Sequence, residues 1–226
     1  MIFPTSASYI NIHTHHKPKE PAEWVLRNAF HCLTPESIQQ LNYAVSVGAH
    51  PWFLENIEWD AYFFRLHSYL QQLNVLALGE IGLDRAIKTP LEIQHKYLKS
   101  QLSFAEKFKK PVIIHAVRTY TEFIPYLKEF SVPFIFHHFS GNQYEAEQLL
   151  KYNAYLSFGK TVLLRQKKSI EILKNMPADR FFLETDTMSA SVSAIYQQVA
   201  EIKNMKEIDL KENVFHNFAA VFGIIS

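Results

Sequence analysis

Leu76-Ala-Leu-Gly-Glu80 is an apolar run that closes on a carboxylate. Residues apolar at successive positions read as a strand covered on both faces. A carboxylate carried to the end of such a strand is costly unless a partner compensates it. Five further stretches share this form, an apolar run ending in a metal-liking side chain: Tyr9-Ile-Asn-Ile-His-Thr-His15, Val45-Ser-Val-Gly-Ala-His50, Val112-Ile-Ile-His115, Phe134-Ile-Phe-His137 and Phe181-Phe-Leu-Glu-Thr-Asp186. One strand ending in histidine means little. Seven of the eleven histidines fall at or just beyond the ends of these runs (His13, His15, His16, His50, His115, His137 and His138), which chance placement would hardly give.

Helical periodicity separates the runs. Trp59 to Leu73, Leu91 to Phe108, Thr121 to Phe130, Tyr144 to Tyr152, Leu164 to Asn175, Ser193 to Asn204 and Asn213 to Phe222 are expected helices. Strands are expected at residues 9–13, 43–48, 75–78, 112–115, from Pro133, at 154–158 and at 180–184, with a short one possible from Trp24 to Phe30 and no clear eighth. The ligand-bearing ends recur at intervals that fit βα units of about 30 residues. Alternation of this kind implies a parallel sheet under helical cover. Convergence decides between architectures: in a closed barrel all strand C-termini meet on one face, whereas the outer strands of an open sheet lie too far apart. The expectation is an α/β fold, a distorted (β/α) TIM-type barrel of seven to eight parallel strands with outer helices, forming one domain over residues 1–226.

Composition excludes several classes. A formal charge of +1 over 226 residues gives no global basic field for non-specific nucleic-acid binding. Apolar runs of four to six residues are far short of a bilayer span, and the N-terminus lacks a secretory pattern. The single Cys32 cannot form an internal disulfide and reads as a small buried hydrophobe. Together these point to a cytoplasmic protein with no membrane association and no evident obligate protein partner.

His13, His15, Glu80, His115, His137 and Asp186 form a mixed imidazole and carboxylate set of the kind that suits Zn, Mn, Fe or Ni better than Ca, and the expected cofactor is divalent metal, Zn, Mg, Mn or Ni. Six ligands exceed the three of a mononuclear catalytic zinc site and favour two ions. Two ions a few ångströms apart can stabilise both the attacking and the leaving oxygen of a displacement at phosphorus. No Gly-rich phosphate loop or nucleophile elbow is present. If no metal were bound, Arg85 or Lys160 would be the expected partner of Glu80.

The order Asn11-Ile-His-Thr-His15, Gly48-Ala-His-Pro51, Gly79-Glu-Ile-Gly-Leu-Asp84, Ile113-Ile-His115, His137-His-Phe-Ser-Gly141 and Leu183-Glu-Thr-Asp186 resembles the TatD family of metal-dependent deoxyribonucleases, within the amidohydrolase-like barrels. Gln94, Tyr97, Gln101, Leu102 and Ala105 follow the family pattern too, as do Asn217 and Phe222. The resemblance implies that His13, His15, Glu80 and Asp186 hold one divalent metal and that Glu80, His115 and His137 hold a second, with Glu80 bridging. It implies that Asp186 orients or deprotonates the attacking water, that His50 contacts the substrate phosphate or leaving group, and that DNA is the substrate. Asn11 stands where the family normally has Asp, Thr187-Met-Ser189 where it continues with Ser-Pro, and His138 where it commonly has Cys.

Other residues carry two readings each. Arg118 can bind a phosphate oxygen or pair with Glu122 one helical turn on. Trp52 and Phe139 can stack on a base or pack at the rim. Asp84 is expected to tie down a loop, and His138, next to His137 on a strand, to face away from the mouth. Lys107, Lys109, Lys110 and Lys160 are the candidate basic flank. Rival functions are a metal-dependent hydrolase of a small amide, ester or lactone, and a metal-binding barrel that has lost turnover.

Overall fold

The computed structural model describes residues 3–29 and 34–223. Phe30 and Cys32 lie outside the described residues. Eight strands form one parallel sheet in sequential order: β1 (Tyr9–Thr14), β2 (Glu23–Asn28), β3 (Ala44–Val47), β4 (Val75–Asp84), β5 (Val112–Val117), β6 (Phe134–Phe136), β7 (Ala154–Phe158) and β8 (Phe181–Leu183). The short strand read as possible from Trp24 is β2, running Glu23–Asn28, and it completes the eight by taking the second place in the order. The helices among the described residues are α1 (Pro35–Gln39), α2 (Trp59–Leu70), α3 (Leu91–Phe108), α4 (Ile124–Glu129), α5 (Gln143–Leu150), α6 (Lys160–Leu163), α7 (Lys167–Asn175), α8 (Val192–Lys203) and α9 (Glu207–Phe222). None is long and apolar enough to cross a membrane.

All ten residues of β4 are buried, so the strand does not end at Glu80 but carries it in mid-strand and finishes at Asp84. Bulky residues such as Ile10, Ile12, Phe134, Phe136, Phe181 and Phe182 are fully buried and fill the core inside and around the sheet. Lys109, in the left-handed conformation, ends α3, and Pro111 leads into β5. α3 returns the chain from the C-terminal end of β4 to the N-terminal end of β5. Lys107, Lys109 and Lys110 therefore lie at the floor of the barrel, opposite the mouth, and cannot be its basic flank. The mouth draws its cations from the loops after the strands instead: Lys17, Lys19, Arg85, Lys88, Arg118 and Lys160.

The sheet closes between β1 and β8 by a short seam. Asp186 donates its backbone N–H to the His13 carbonyl (3.0 Å), and His15 donates to the Asp186 carbonyl (3.1 Å). Further down, the buried Tyr196 hydroxyl takes the Ile10 N–H and donates to the Ile10 carbonyl, both at 3.0 Å, supplying the partners that β8 does not. Asn11 completes the seam: its Oδ1 accepts the Thr185 N–H (3.0 Å), and its Nδ2 donates to Thr185 Oγ1 and to Glu23 Oε1, each at 2.8 Å. Two of these three bonds require an amide N–H₂. With the Glu23 carboxylate facing it, Asp at this position would lose both donors and add repulsion. Asn11→Asp is therefore expected to destabilise by about 1–3 kcal/mol, read by thermal unfolding as a fall of about 2–4 °C per kcal/mol in a domain of this size.

Candidate metal and active site

The strand C-termini converge as a closed barrel requires, and Glu80 stands at the centre. Its Oε1 lies 2.7 Å from His137 Nε2, 2.9 Å from His115 Nδ1 and 3.1 Å from His50 Nε2. Its Oε2 lies 3.4 Å from His13 Nε2 and 4.0 Å from His15 Nε2, and accepts from Asn28 Nδ2 at 3.2 Å. Neither Arg85 nor Lys160 is its partner; Arg85 pairs with Glu122. Asp186 closes the other side, its Oδ1 3.5 Å from His15 Nε2 and 3.7 Å from His13 Nε2. Donor atoms within 4.8 Å of one another fall into three groups: His13, His15 and Asp186; His13, Glu80 and His137; and His50, Glu80 and His115.

A cation fits this arrangement. Both ring nitrogens of His13 and Nδ1 of His137 are buried without a hydrogen-bond partner among the described residues. Such orphaned polar atoms are expensive, and buried ones are nearly always satisfied. The donors are all nitrogen and carboxylate oxygen, the chemistry of borderline divalent ions.

Charge is concentrated accordingly. Burial pushes the Glu80 carboxyl up, but the charge on His137 and the close approach of the His115, His13 and His137 rings outweigh it and hold it well below the usual carboxylate range. Burial likewise pushes His137 down, and Glu80 reverses this, leaving the imidazole well above its ordinary value. Burial also opposes ionisation of Asp186, yet the His138 contact and the charges on His13 and His137 hold it at about 2. Burial, with the like charge of His13, lowers His15. His50 is lowered by burial, despite Glu80. Its Nδ1 accepts the Trp52 N–H (3.1 Å), so the neutral ring carries its proton on Nε2 and points it at Glu80.

Surrounding residues fix the cluster. His115 Nε2 lies 3.0 Å from Asp84 Oδ2, so the carboxylate expected only to tie down a loop also holds a candidate ligand. The fully buried Gln94 pins Asp84, accepting its N–H (2.7 Å) and donating to its carbonyl (3.0 Å). From one helical face further along α3, Gln101 accepts the Ala49 N–H (2.7 Å) and donates to the Ala49 carbonyl (3.2 Å), setting the residue before His50. Behind His137 the buried Glu184 accepts the His138 N–H at 2.8 Å, with Oε1 3.5 Å from His137 Nδ1. Such carboxylates orient ligand imidazoles and raise their basicity.

Three expectations need correction. His138 does not face away: its φ of 47° breaks strand alternation, and its Nδ1 comes within 3.6 Å of Asp186 Oδ2. Phe139 is 1% exposed and packs against Tyr120 and Phe158, so it cannot stack on a base. Arg118 does not pair with Glu122, which takes Arg85 and His95; its exposed guanidinium forms no ion pair among the described residues. The loop after Asp186 is tied to the loop after β1, with Lys19 donating to the Met188 carbonyl (3.1 Å) and His16 Nε2 3.1 Å from the Thr187 carbonyl.

Two cavities open on the cluster. One of about 410 Å³ is bounded by Trp52, Phe53, Asn28 and Thr187 as well as His15, His50, Glu80, His115, His137 and Asp186. A smaller one of about 180 Å³ lies on the far side, between His138, Ser140 and Val117, and shares His115, His137 and Asp186.

A parallel barrel with a histidine and carboxylate centre at its C-terminal mouth defines a class of metal-dependent hydrolases. Within it, the chain belongs to the TatD related DNase family, whose model matches residues 28–223. An uncharacterized metal-dependent hydrolase of Bacillus subtilis, YabD, is 32% identical over 168 residues, 66% of each chain. The human 3'-5' RNA nuclease TATDN2 is 33% identical over 154 residues, 58% of this chain and 20% of that protein. The matched segment thus spans two thirds of the first relative and a fifth of the second. The crystal structure of YjjV, a TatD homologue of Escherichia coli, covers 98% of this chain with all of its own at a TM-score of 0.84 and 22% identity, a likeness of fold.

Proposed function

We propose that the chain, as a single domain over residues 1–226, hydrolyses phosphodiester bonds in nucleic acid, most closely DNA, using two divalent ions and a water molecule. The observation that carries this reading is the central place of Glu80, with Oε1 against His137, His115 and His50 and Oε2 against His13, which supports its bridging two ions. His13, His15, Glu80 and Asp186 would hold one ion, and Glu80, His115 and His137 the other. Divalent ions held by these residues would supply charge neutralisation at the phosphate and a lowered pKa for water. Asp186 orients the attacking water and accepts its proton. His50, with Nε2–H directed into the centre, contacts the phosphate or the leaving oxygen, and Arg118 binds a phosphate oxygen from the rim. The family's description and the named nuclease relative support nucleic acid as substrate. One cysteine in the chain supports action in the cytoplasm.

Asn11 gives no reason to expect lost turnover, because it bonds across the seam rather than into the donor cluster. A small-metabolite hydrolase keeps one observation in its favour: about 410 Å³ is ample for a small ligand. The deciding experiment is metal analysis combined with degradation of single- and double-stranded DNA in Mg, Mn or Zn, comparing wild type with Asp186→Asn. The variant is expected to lose on the order of 10²-fold in rate or more. Metal-free wild type would sink the proposal, and metal-loaded protein inert on DNA would transfer it to small esters, amides or lactones.

A further inference from the structure

Trp52 has a role that the metal chemistry does not use. The residue is 58% exposed, yet it is not loose. Trp52 donates its backbone N–H to His50 Nδ1 (3.1 Å) at the start of a 3₁₀ turn, Pro51–Asn56, which sets the backbone. Its Nε1–H is donated to Asp84 Oδ2 at 2.7 Å, which sets the ring. That oxygen is the one facing His115 Nε2, and it belongs to a residue that is 2% exposed and held through its backbone by Gln94. The polar end of the indole is thus anchored to Asp84 while the residue lines the larger cavity.

The ring stands beside the reaction centre. Its centroid is 5.0 Å from that of His50 at 85° and 6.0 Å from that of His115 at 80°, so neither imidazole stacks on it. Phe53 continues the same wall. The other side of the cluster is narrower and carries His138 and Ser140. A substrate crossing the centre therefore meets the aromatic Trp52–Phe53 wall on one side and a smaller pocket bearing His138 and Ser140 on the other.

We infer that Trp52 is a stacking platform for the nucleobase next to the scissile phosphate. This rests on the phosphodiesterase reading above, and it adds where the substrate is gripped and what is read. Base–aromatic stacking suits any base, since every base offers a π-face. The Trp52–Phe53 wall presents no donor or acceptor to a base edge once Nε1–H is committed to Asp84, so binding here is expected to be tolerant of sequence. A fixed ring also loses little freedom on binding.

The test uses metal-loaded protein and dinucleotides in which one base or the other is replaced by an abasic tetrahydrofuran unit. For wild type, removal of the base on the Trp52 side is expected to raise KM by roughly 5- to 100-fold, with a smaller change in kcat. In Trp52→Ala the ratio between intact and abasic substrates collapses to near one, and in Trp52→Phe, which keeps a ring but loses the Asp84 bond, most of it survives. A general disturbance of His115 through Asp84 would lower both substrates alike and leave the ratio intact. Independently of turnover, the intact dinucleotide should quench tryptophan fluorescence in wild type and not in Trp52→Phe, because Trp24 is buried against Phe218 and Trp59 is stacked on Tyr97. Unchanged ratios in Trp52→Ala, or a wild type indifferent to loss of either base, overturn the platform while leaving the nuclease standing. Absence of binding and cleavage of every dinucleotide by metal-loaded wild type overturns the nuclease reading itself.

Discussion

Glu80→Gln is expected to lose both ions at once and to reduce hydrolysis by at least about 10⁴-fold, since each metal supplies several kcal/mol to the transition state. The variant keeps the shape of the side chain but not its charge. In wild type, one oxygen faces His50, His115 and His137, and the other faces His13 and Asn28, so a neutral amide removes the anionic donor shared by both proposed positions. Asp186→Asn differs in kind: Asp186 turns Oδ1 to His13 and His15 and Oδ2 to His138, none of which is proposed for the second ion, so an ion between Glu80, His115 and His137 should survive it. Metal content per chain after dialysis, measured by mass spectrometry on both variants alongside the rate, separates the cases. Two ions retained in Glu80→Gln would refute the bridging assignment, whatever the activity.

The donor set was legible in sequence because barrel geometry turns a linear habit, apolar run then ligand, into a point in space. What stood behind the donors was not. Glu184 and Asp84 stand inside two of the motifs, but nothing in the linear sequence pairs them with a ligand until the fold brings His137 against one and His115 against the other. Asn28 was hidden for a related reason: β2 ends in Arg27-Asn28 rather than in a ligand, so the strand itself lacked the signature that marked its neighbours. His138 defeated the alternation rule through its backbone, since a positive φ turns a side chain that an extended strand would send outward. The lysines of α3 were read from their charge alone, whereas their place follows from chain direction.

Gly82→Ala is the second large effect expected, and it joins stability to the site. Gly82 lies opposite His115 in the β4–β5 pairing. A Cβ there would come within 1.9 Å of the His115 carbonyl oxygen and 2.8 Å of its carbon. Both are backbone atoms of a central strand, so no side-chain rotation relieves the overlap and the strands must separate. Ordinary overpacking costs about 1–3 kcal/mol; with backbone on both sides the cost should exceed about 3 kcal/mol, a fall in Tm of at least about 6–12 °C. Parting β5 from β4 also withdraws His115 Nδ1 from Glu80 and Nε2 from Asp84, now at 2.9 and 3.0 Å. Metal affinity should therefore drop even in the fraction that folds. Gly223→Ala provides the comparison: its Cβ would meet nothing within 4 Å, and only the φ of 67° opposes it, so a cost near 1 kcal/mol and undiminished metal content are expected. Thermal melts and metal titrations of the two variants test the coupling directly. If Gly82→Ala melted and bound metal like wild type, the close approach of β4 to β5 would not be what holds His115 on Glu80.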